Sequence, residues 1–428
     1  MSGTTFIAIL RAGMLALSAP LLYGSGVEAG TELNMTGSGS VTHLAFELPR
    51  RVCTDGVDPP YPTRYSNASH TKVTWTCKVG AEDVVIRYST TNASDSILKV
   101  QKPRTDTTSH ALFLDHTQTA GCTEPVLVPF PEHAFRKYRK VTQCHEGNTI
   151  SRPVDLGSTI GAGSFFHRAG LVGTMVQPLD STNLFRYEVA IVPYSVFVGR
   201  QVVDRSPIYP SVPAGPVTSL SQAEIENIFS RRVIDWRALG KGTAEISGVL
   251  DGASPITLCL RNAGSVLATA VDAIFMRDAH VTSIATPSVM FSFGMRGVAD
   301  CLQNNPKSIG VLPAHYAEWF TAPGRAYAVG VDDQFAPSLL ANQNKRRALE
   351  CGEYTYWTNW QFYSREDLDL LHSLPGRYVA AADASYAIVP YGKHWHSQSG
   401  RAMEVFRTAD AGPLLWKLGL EGTQCSKQ

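Results

Sequence analysis

The pattern of apolar and polar positions alternates between short strands and amphipathic helices, most clearly from Thr218 to Met276. After Ser221, apolar side chains recur at helical spacing, and they share one face: Ile225, Ile228 and Phe229. Ser221 and Glu224 have the spacing of a capping box, which predicts that a helix begins after Ser221. The apolar segment from Pro255 to Leu260 then predicts a buried strand.

A turn and a second helix are predicted after this strand. Residues 261–264 form the turn, and Ser265 is the predicted N-cap of a helix with one apolar face, formed by Leu267, Ala270, Val271 and Ile274. A strand that leads through such a turn to a helix N-terminus presents unpaired N–H groups to an anion. The guanidinium of Arg261 would add a charge-assisted hydrogen bond. The segment therefore predicts an anion-binding loop.

The same arrangement is predicted near the N-terminus. Glu32–Thr36 has the pattern of a strand, 37–40 that of a Gly/Ser turn, and Val41–Leu48 that of a helix. A Gly/Ser turn is equally consistent with a simple connector. Further strands are predicted at 73–78, 84–88, 97–100 and 111–115, and a late helix is predicted at 365–373 with Ser364 as its cap.

Three segments in this order resemble the phosphate-binding proteins of bacterial ABC transporters and their relatives, including the DING proteins. They are LSQAEIENIFSRRVIDW from Leu220, PITLCLRNAGS from Pro255 and NNPKSIGV from Asn304. The match covers about residues 190–315. It implies an α/β chain with the two-lobed, type II periplasmic-binding-protein fold, built of mostly parallel sheets with flanking helices. Lobe I would comprise 30–190 and 312–428, and lobe II 191–311, with crossing strands near 187–193 and 196–203.

The resemblance also implies a ligand and the residues that hold it. A small oxyanion, phosphate or a phosphorylated compound, would lie between the lobes and contact Ser38, Ser40, Gly157, Ser158, Arg261, Gly264 and Ser265. Carboxylates of the family that accept a hydrogen bond from protonated phosphate are replaced here by Ala263 and by Thr159 or Ile160. An ABC transporter permease is the implied partner, and we expect a monomer without a cofactor or metal. The alternative is a secreted adhesion or protein-binding protein with the same fold.

Composition limits the other possibilities. The 428 residues are 44% hydrophobic and 18% charged, so the chain can bury a substantial core. The net charge is +1, with no run of five like charges, which gives no indication of nucleic acid as a partner. Motifs for a nucleophile elbow, a zinc protease helix or a phosphate loop are absent. Ser109, His110, Asp115 and His116 could supply a triad, but neighbours on a strand point to opposite faces. We therefore expect no enzymatic activity.

The N-terminus and the cysteines both indicate export. Arg11 precedes the apolar segment Ala12–Tyr23, and small residues near Ala29 suit cleavage, so residues 1–29 are predicted to be a signal peptide of a periplasmic or secreted protein. An uncleaved anchor is the alternative. The eight cysteines permit on the order of a hundred pairings, and their spacing favours neighbours in sequence: Cys53–Cys77, Cys122–Cys144, Cys259–Cys301 and Cys351–Cys425. Buried free thiols would be the other explanation.

Overall fold

The computed structural model describes most of the chain from Thr31 to Asp383. The described residues are 31–39, 45–46, 48–53, 61–129, 138–161, 179–245, 247–262, 265–276, 289–292, 294–336, 348–383, 396–397, 405–407 and 414–416. The predicted signal peptide, Ser40, Ala263, Gly264 and Cys425 lie outside these ranges, and what was expected of them stays a prediction.

Strands dominate the described residues. They are β1 Thr31–Ser38, β2 Thr63–Asn67, β3 Lys72–Val79, β4 Glu82–Thr91, β5 His110–Leu114, β6 Val126–Pro129, β7 Tyr138–Cys144, β8 Thr149–Pro153, β9 Leu156–Thr159, β10 Phe185–Val198, β11 Val202–Arg205, β12 Pro213–Pro216, β13 Ser219–Leu220, β14 Lys241–Thr243, β15 Thr257–Arg261, β16 Val289–Ser292, β17 Ser308–Pro313, β18 Tyr327–Val331, β19 Trp357–Ser364, β20 His396–Ser397, β21 Val405–Arg407 and β22 Leu414–Trp416.

The helices are short. They are α1 Pro49–Val52, α2 Ala93–Gln101, α3 Gln222–Phe229, α4 Val266–Ala270, α5 Met295–Asn304 and α6 Leu374–Asp383. A π-turn, Val271–Phe275, continues α4, and 3₁₀ turns occupy Thr107–Ser109, Trp236–Leu239 and Ala314–Phe320. No helix in the described part of the chain is long and apolar enough to cross a membrane.

One large sheet organises the molecule. Among the described residues it has fifteen strands, and its main path runs β16-β15-β17-β10-β19-β9-β1-β4-β3-β2-β7-β6. Pairing is parallel where β15 meets β16 and β17, and where β1 meets β4 and β9. It is antiparallel along β10, which pairs with β17 and β19. The predicted α/β class is confirmed.

The long strand β10 belongs to both halves of this sheet. Its first part, Phe185–Pro193, pairs with β19, and its second part, Tyr194–Val198, pairs with β17. Every residue from Val189 to Val198 is buried, as expected for a strand covered on both faces. The strands predicted at 187–193 and 196–203 are therefore continuous in β10 as far as Val198, and β11 begins after a turn, at Val202.

The first predicted helix forms as the sequence indicates. The Ser221 hydroxyl accepts a hydrogen bond from the Glu224 amide at 3.1 Å, and the Glu224 carboxylate accepts one from the Ser221 amide at 2.7 Å. Ile225, Ile228 and Phe229 are completely buried. Trp236, after the helix, is buried as well, and its indole donates to the Lys307 carbonyl oxygen at 3.0 Å. The helix is thus held against the strand that returns the chain at β17.

Three local predictions were wrong. Ile97–Val100 lies in helix α2, because a short apolar run fits either element and Ile97 and Val100 bury one helical face. Residues 365–373 form turns, and the helix begins at Leu374, where the Ser373 hydroxyl accepts from the Gly376 amide at 3.1 Å. Gly37 and Ser38 extend strand β1 instead of forming a turn.

Disulfides connect the cysteines as predicted wherever the pairs are described. Cys53–Cys77, Cys122–Cys144 and Cys259–Cys301 are bonded. Cys351 is also disulfide-bonded. The bond between Cys259 and Cys301 links β15 to α5, and so fixes that helix against the sheet.

Candidate functional site

The first group of predicted ligand residues lies at the carboxyl ends of two adjacent parallel strands. β1 and β9 pair so that Gly37 lies opposite Ser158 and Thr36 lies opposite Gly157. Ser38 is the last residue of β1. The structure therefore brings Ser38, Gly157 and Ser158 together at one edge of the sheet, where parallel α/β sheets bind their ligands.

Two glycines allow this edge to pack closely. A Cβ on Gly37 would lie 2.5 Å from the backbone oxygen of Ser158 and 2.4 Å from the hydroxyl of Tyr88. A Cβ on Gly157 would lie 2.9 Å from the backbone oxygen of Ser96 in α2. Glycine is therefore required at both positions for packing, whatever part Gly157 takes in binding.

The hydroxyl of Ser158 is engaged inside the protein. Trp360 donates its indole N–H to Ser158 Oγ at 2.8 Å, and Ser158 is completely buried. Tyr88, also buried, donates to the Ser38 carbonyl oxygen at 3.3 Å. Burial raises the pKa of Tyr88, although a hydrogen bond with Ser158 opposes the shift. In this conformation the Ser158 hydroxyl faces Trp360 and Tyr88, and its contact with a ligand stays a prediction.

A second edge forms where β15, β16 and β17 end. Because these strands are parallel, Arg261, Ser292 and Pro313, their last residues, lie along the same side of the sheet. Arg261 Nη1 donates to the Ser292 carbonyl oxygen at 2.7 Å. Its Nε is buried without a hydrogen-bond partner among the described residues. A guanidinium carries five N–H donors, so this one is oriented by the protein and retains donors for a ligand.

Arg261 carries its charge near the phenol of Tyr316. Burial lowers the pKa of Arg261 to about 10, so the side chain remains charged at neutral pH, and Tyr316 is the neighbour that opposes this shift. Burial raises the pKa of Tyr316 to about 12, while the charges of Arg261 and Arg296 pull it down. Two guanidinium groups therefore act on one phenol at this edge.

Ser265 caps its helix as predicted. Its hydroxyl accepts a hydrogen bond from the Leu267 amide at 3.2 Å, and the residue is almost completely buried. The hydroxyl is consequently occupied by the cap. Gly264 lies outside the described residues, so its contact with a ligand stays a prediction.

The two edges face each other across the middle of β10. On one side, β9 continues to Ile160, whose carbonyl oxygen accepts from the hydroxyl of Thr358, and Thr358 pairs with Val192 of β10. On the other side, β17 ends with Pro313 opposite Tyr194. The carboxyl ends of β9 and β17 thus approach adjacent positions of β10 from opposite directions. The strand that carries Ser158 and the strands that end near Arg261 are therefore directed towards the middle of β10.

Sequence reasoning missed several residues at this place. Tyr316 and Trp319 lie in the 3₁₀ turn after β17, and Arg296 lies in the first turn of α5, after β16. The side chain of Asn359, on β19, is 1% exposed, and its Oδ1 has no hydrogen-bond partner among the described residues. The available signal was positional, because polar and aromatic residues directly after buried parallel strands share one edge of a sheet.

The described residues contain no group of three or more His, Cys, Asp or Glu side chains that could hold a metal ion. Asp115 accepts hydrogen bonds from Thr117, and His110 Nδ1 lies 3.3 Å from Ser151 Oγ. Neither contact links a serine, a histidine and an aspartate into a triad.

No family model and no curated protein matches the chain. The chain is similar to a solved structure from Clostridium perfringens, described as a phosphate ABC transporter substrate-binding protein with bound phosphate, at 13% identity and a TM-score of 0.43, over 82% of this chain and 92% of that one. It is also similar to an ABC-type phosphate transport receptor from Vibrio cholerae, at 10% identity and a TM-score of 0.41, over 83% of this chain and 95% of that one.

PstS from Borrelia burgdorferi is similar at 10% identity and a TM-score of 0.37, over 82% of this chain and 97% of that one. These neighbours are of the kind that the sequence resembles.

Proposed function

We propose that this chain is an exported solute-binding protein that holds a small oxyanion, phosphate or a phosphorylated compound, in a cleft between two lobes. The convergence of the β9 and β17 carboxyl ends on the middle of β10, with Arg261 on one edge, is the observation that carries the proposal. Two lobes that present such edges to each other can enclose a ligand.

The lobe boundaries are part of this proposal, and the strand pairing supports one change to them. Lobe I comprises 30–190 and 312–428, and lobe II comprises 191–311, with one addition. β18 pairs with β13 and with the second part of β10, so it belongs with lobe II although it follows residue 311. The proposed second lobe therefore runs through Val331, and the middle of β10 is one of the connections between the lobes.

Arg261 is suited to bind an anion in this cleft. Its bond to the Ser292 carbonyl orients the guanidinium before a ligand arrives, and burial strengthens its electrostatic interactions. A pKa of about 10 keeps the side chain charged over the physiological range. An anion would supply the partner that the buried Nε lacks among the described residues.

Discrimination between phosphate and sulfate is proposed to be weak. A protonated phosphate is recognised by an acceptor, and Ala263 cannot provide one. The hydroxyl of Thr159 is buried and donates to the Gly161 carbonyl oxygen at 3.0 Å. Neither position therefore offers a carboxylate that would repel sulfate.

Export and transport are parts of the same proposal. Three described disulfides are typical of proteins that fold in an oxidising compartment. We propose a periplasmic or secreted location after removal of residues 1–29, and an ABC transporter permease as the partner. The protein itself would bind and deliver its ligand as a monomer without chemical change.

A thermal-shift titration tests the proposal on the full oxidised chain. An anion present at 100 times its dissociation constant stabilises the folded state by about 2.7 kcal/mol, which raises the melting temperature measurably. We expect phosphate and sulfate to produce the shift and a neutral sugar to produce none. If phosphate, sulfate and a phosphate ester all leave the melting temperature unchanged at millimolar concentration, the adhesion alternative is favoured.

A further inference from the structure

An aromatic and cationic cluster adjoins Arg261 and extends away from it. We name it the Trp319 cluster, and it consists of Arg296, His315, Tyr316 and Trp319. The rings of Tyr316 and Trp319 have centroids 5.5 Å apart at an angle of 38°, and the guanidinium carbon of Arg296 lies 5.8 Å from the Trp319 ring centre. His315 packs on Tyr316 with a centroid distance of 4.8 Å. The turn that carries Tyr316 and Trp319 directly follows β17, and β17 pairs in parallel with β15, so the cluster lies after the strand next to the one that ends with Arg261.

Trp319 differs from the tryptophans of the core. Its side chain is 52% exposed, whereas Trp75, Trp236, Trp357 and Trp360 are completely buried. The next residue, Phe320, packs on Phe197 of β10 with centroids 5.3 Å apart, and this contact fixes the turn to the core. The indole is therefore a half-exposed aromatic surface on a turn whose next residue packs on the core. A large aromatic side chain in such a place gains free energy when another planar group covers it.

The charges of the cluster select the kind of anion. Arg261 and Arg296 carry two positive charges. Among the described residues, the one carboxylate paired with either of them is that of Asp300, which lies 3.9 Å from Arg296 on the exposed surface of α5. A phosphate monoester carries a charge of about −1.5 to −2 at neutral pH and offers three acceptor oxygens. Two guanidinium groups match such a group in charge and in number of donors.

We infer that the ligand is a phosphate monoester of a planar aromatic or heteroaromatic group, such as a nucleoside monophosphate. Its phosphate would lie at Arg261, with Arg296 as a second cation, and its ring would stack on the exposed face of Trp319. This inference rests on the proposed function for the phosphate half of the ligand. It adds that Trp319 is a specificity-determining residue, so that inorganic phosphate would be the weaker ligand.

Calorimetric titration of the full oxidised chain with matched probes tests the inference. The probes are adenosine monophosphate, ribose 5-phosphate, which lacks the base, inorganic phosphate, and adenosine, which lacks the phosphate. Stacking of one base on one aromatic side chain corresponds to about 5- to 150-fold in affinity. We expect adenosine monophosphate to bind more tightly than ribose 5-phosphate by a factor in this range. Trp319→Ala should remove the difference.

Control variants separate stacking from other effects. Tyr209→Ala removes a second exposed aromatic ring, 66% exposed in the loop between β11 and β12, and should leave all affinities unchanged. Trp319→Phe keeps a planar ring and should retain part of the preference. Arg261→Ala should weaken the binding of adenosine monophosphate and of ribose 5-phosphate by equal factors.

The outcomes distinguish the two proposals. Equal affinities for adenosine monophosphate and ribose 5-phosphate in the wild-type protein would overturn the stacking role of Trp319 and leave the anion site intact. A preference that persists in Trp319→Ala would overturn it as well. If none of the phosphate-containing probes binds, the proposed function fails and this inference fails with it, whether or not adenosine binds.

Discussion

The indole of Trp360 donates a 2.8 Å hydrogen bond to the hydroxyl of Ser158, and both residues are completely buried. Trp360 lies on β19 and Ser158 on the adjacent antiparallel β9, so the bond fixes the edge at which β9 ends. The same hydroxyl bonds with Tyr88, which contacts the end of β1. Ser158 on β9 therefore contacts both β19, through Trp360, and Tyr88, which bonds to Ser38 at the end of β1.

Replacement of Ser158 by alanine tests this role. Without Oγ, the Trp360 N–H loses its partner in the core, and we expect the free energy of unfolding to fall by about 1 to 3 kcal/mol. Urea denaturation measures the change, and Ser247→Ala, at an exposed turn, is the matched control with little expected effect. A loss of phosphate affinity in folded Ser158→Ala would support the predicted ligand contact. An unchanged stability would contradict the structural role.

The ion pair between Glu32 and Arg87 predicts a pH dependence. Arg87 Nη1 lies 2.9 Å from the Glu32 carboxylate, and the Arg87 side chain is 2% exposed. Burial opposes ionisation of Glu32, but Arg87 and then Arg152 outweigh it, so the pKa of Glu32 lies below its usual 4.5. A carboxylate whose pKa is lower in the folded protein than in the unfolded chain stabilises the fold at pH values above its unfolded-state pKa. This contribution is lost as the pH falls through the folded-state pKa.

Glu32→Gln should therefore destabilise the protein at pH 7 by about 1 to 3 kcal/mol, because a buried guanidinium loses a charged partner that is itself partly exposed. The difference from the wild type should shrink as the pH falls below 4.5. Asp83→Asn, which removes an exposed partner of Lys78, should change the stability by less than about 1 kcal/mol. Urea denaturation from pH 7 to pH 3 measures both variants. A constant Glu32→Gln difference over this range would show that the pair does not act as described.

The disulfide between Cys259 and Cys301 links strand β15, which carries Arg261 of the proposed anion site, to helix α5. Cys259 precedes Arg261 on β15, and Cys301 lies on α5, which carries Arg296. Replacing both cysteines by alanine should cost about 2 to 5 kcal/mol of stability and should weaken anion binding.

The Cys122–Cys144 bond provides the control for this prediction, since it lies far along the sheet beside β7. Its removal should also lower the stability but should leave anion affinity unchanged. Denaturation and calorimetry on both double variants make the comparison. Equal effects on affinity would show that the Cys259–Cys301 bond has no particular part in the site.

Local signals in the sequence predicted the elements that depend on neighbouring residues. The capping box of Ser221 and Glu224 and the cap at Ser265 were predictable because each joins groups a few residues apart. The apolar run Ile97–Val100 did not identify its element, because a pattern of four residues fits a strand as well as a helix.

The candidate site could be predicted only in part, since it depends on strand pairing. Arg261 was recognisable after its strand, but its neighbours Arg296 and Tyr316 lie 35 and 55 positions later in the chain and are brought to it by β16 and β17. The burial of Ser158 depends on Trp360, which is separated from it by 202 residues. No local pattern contains such contacts.

Calorimetric titration of phosphate into wild-type protein and Arg261→Ala tests the central claim most directly. A charge-assisted hydrogen bond contributes about 1.5 to 3 kcal/mol, so the variant should bind roughly 10- to 150-fold more weakly. Arg232→Ala, which removes a half-exposed arginine elsewhere in the second lobe, should bind as the wild type does. Saturable binding that Arg261→Ala weakens and Arg232→Ala does not is the predicted result. Wild-type binding that Arg261→Ala leaves unchanged, or no binding of phosphate or sulfate at all, would contradict the account.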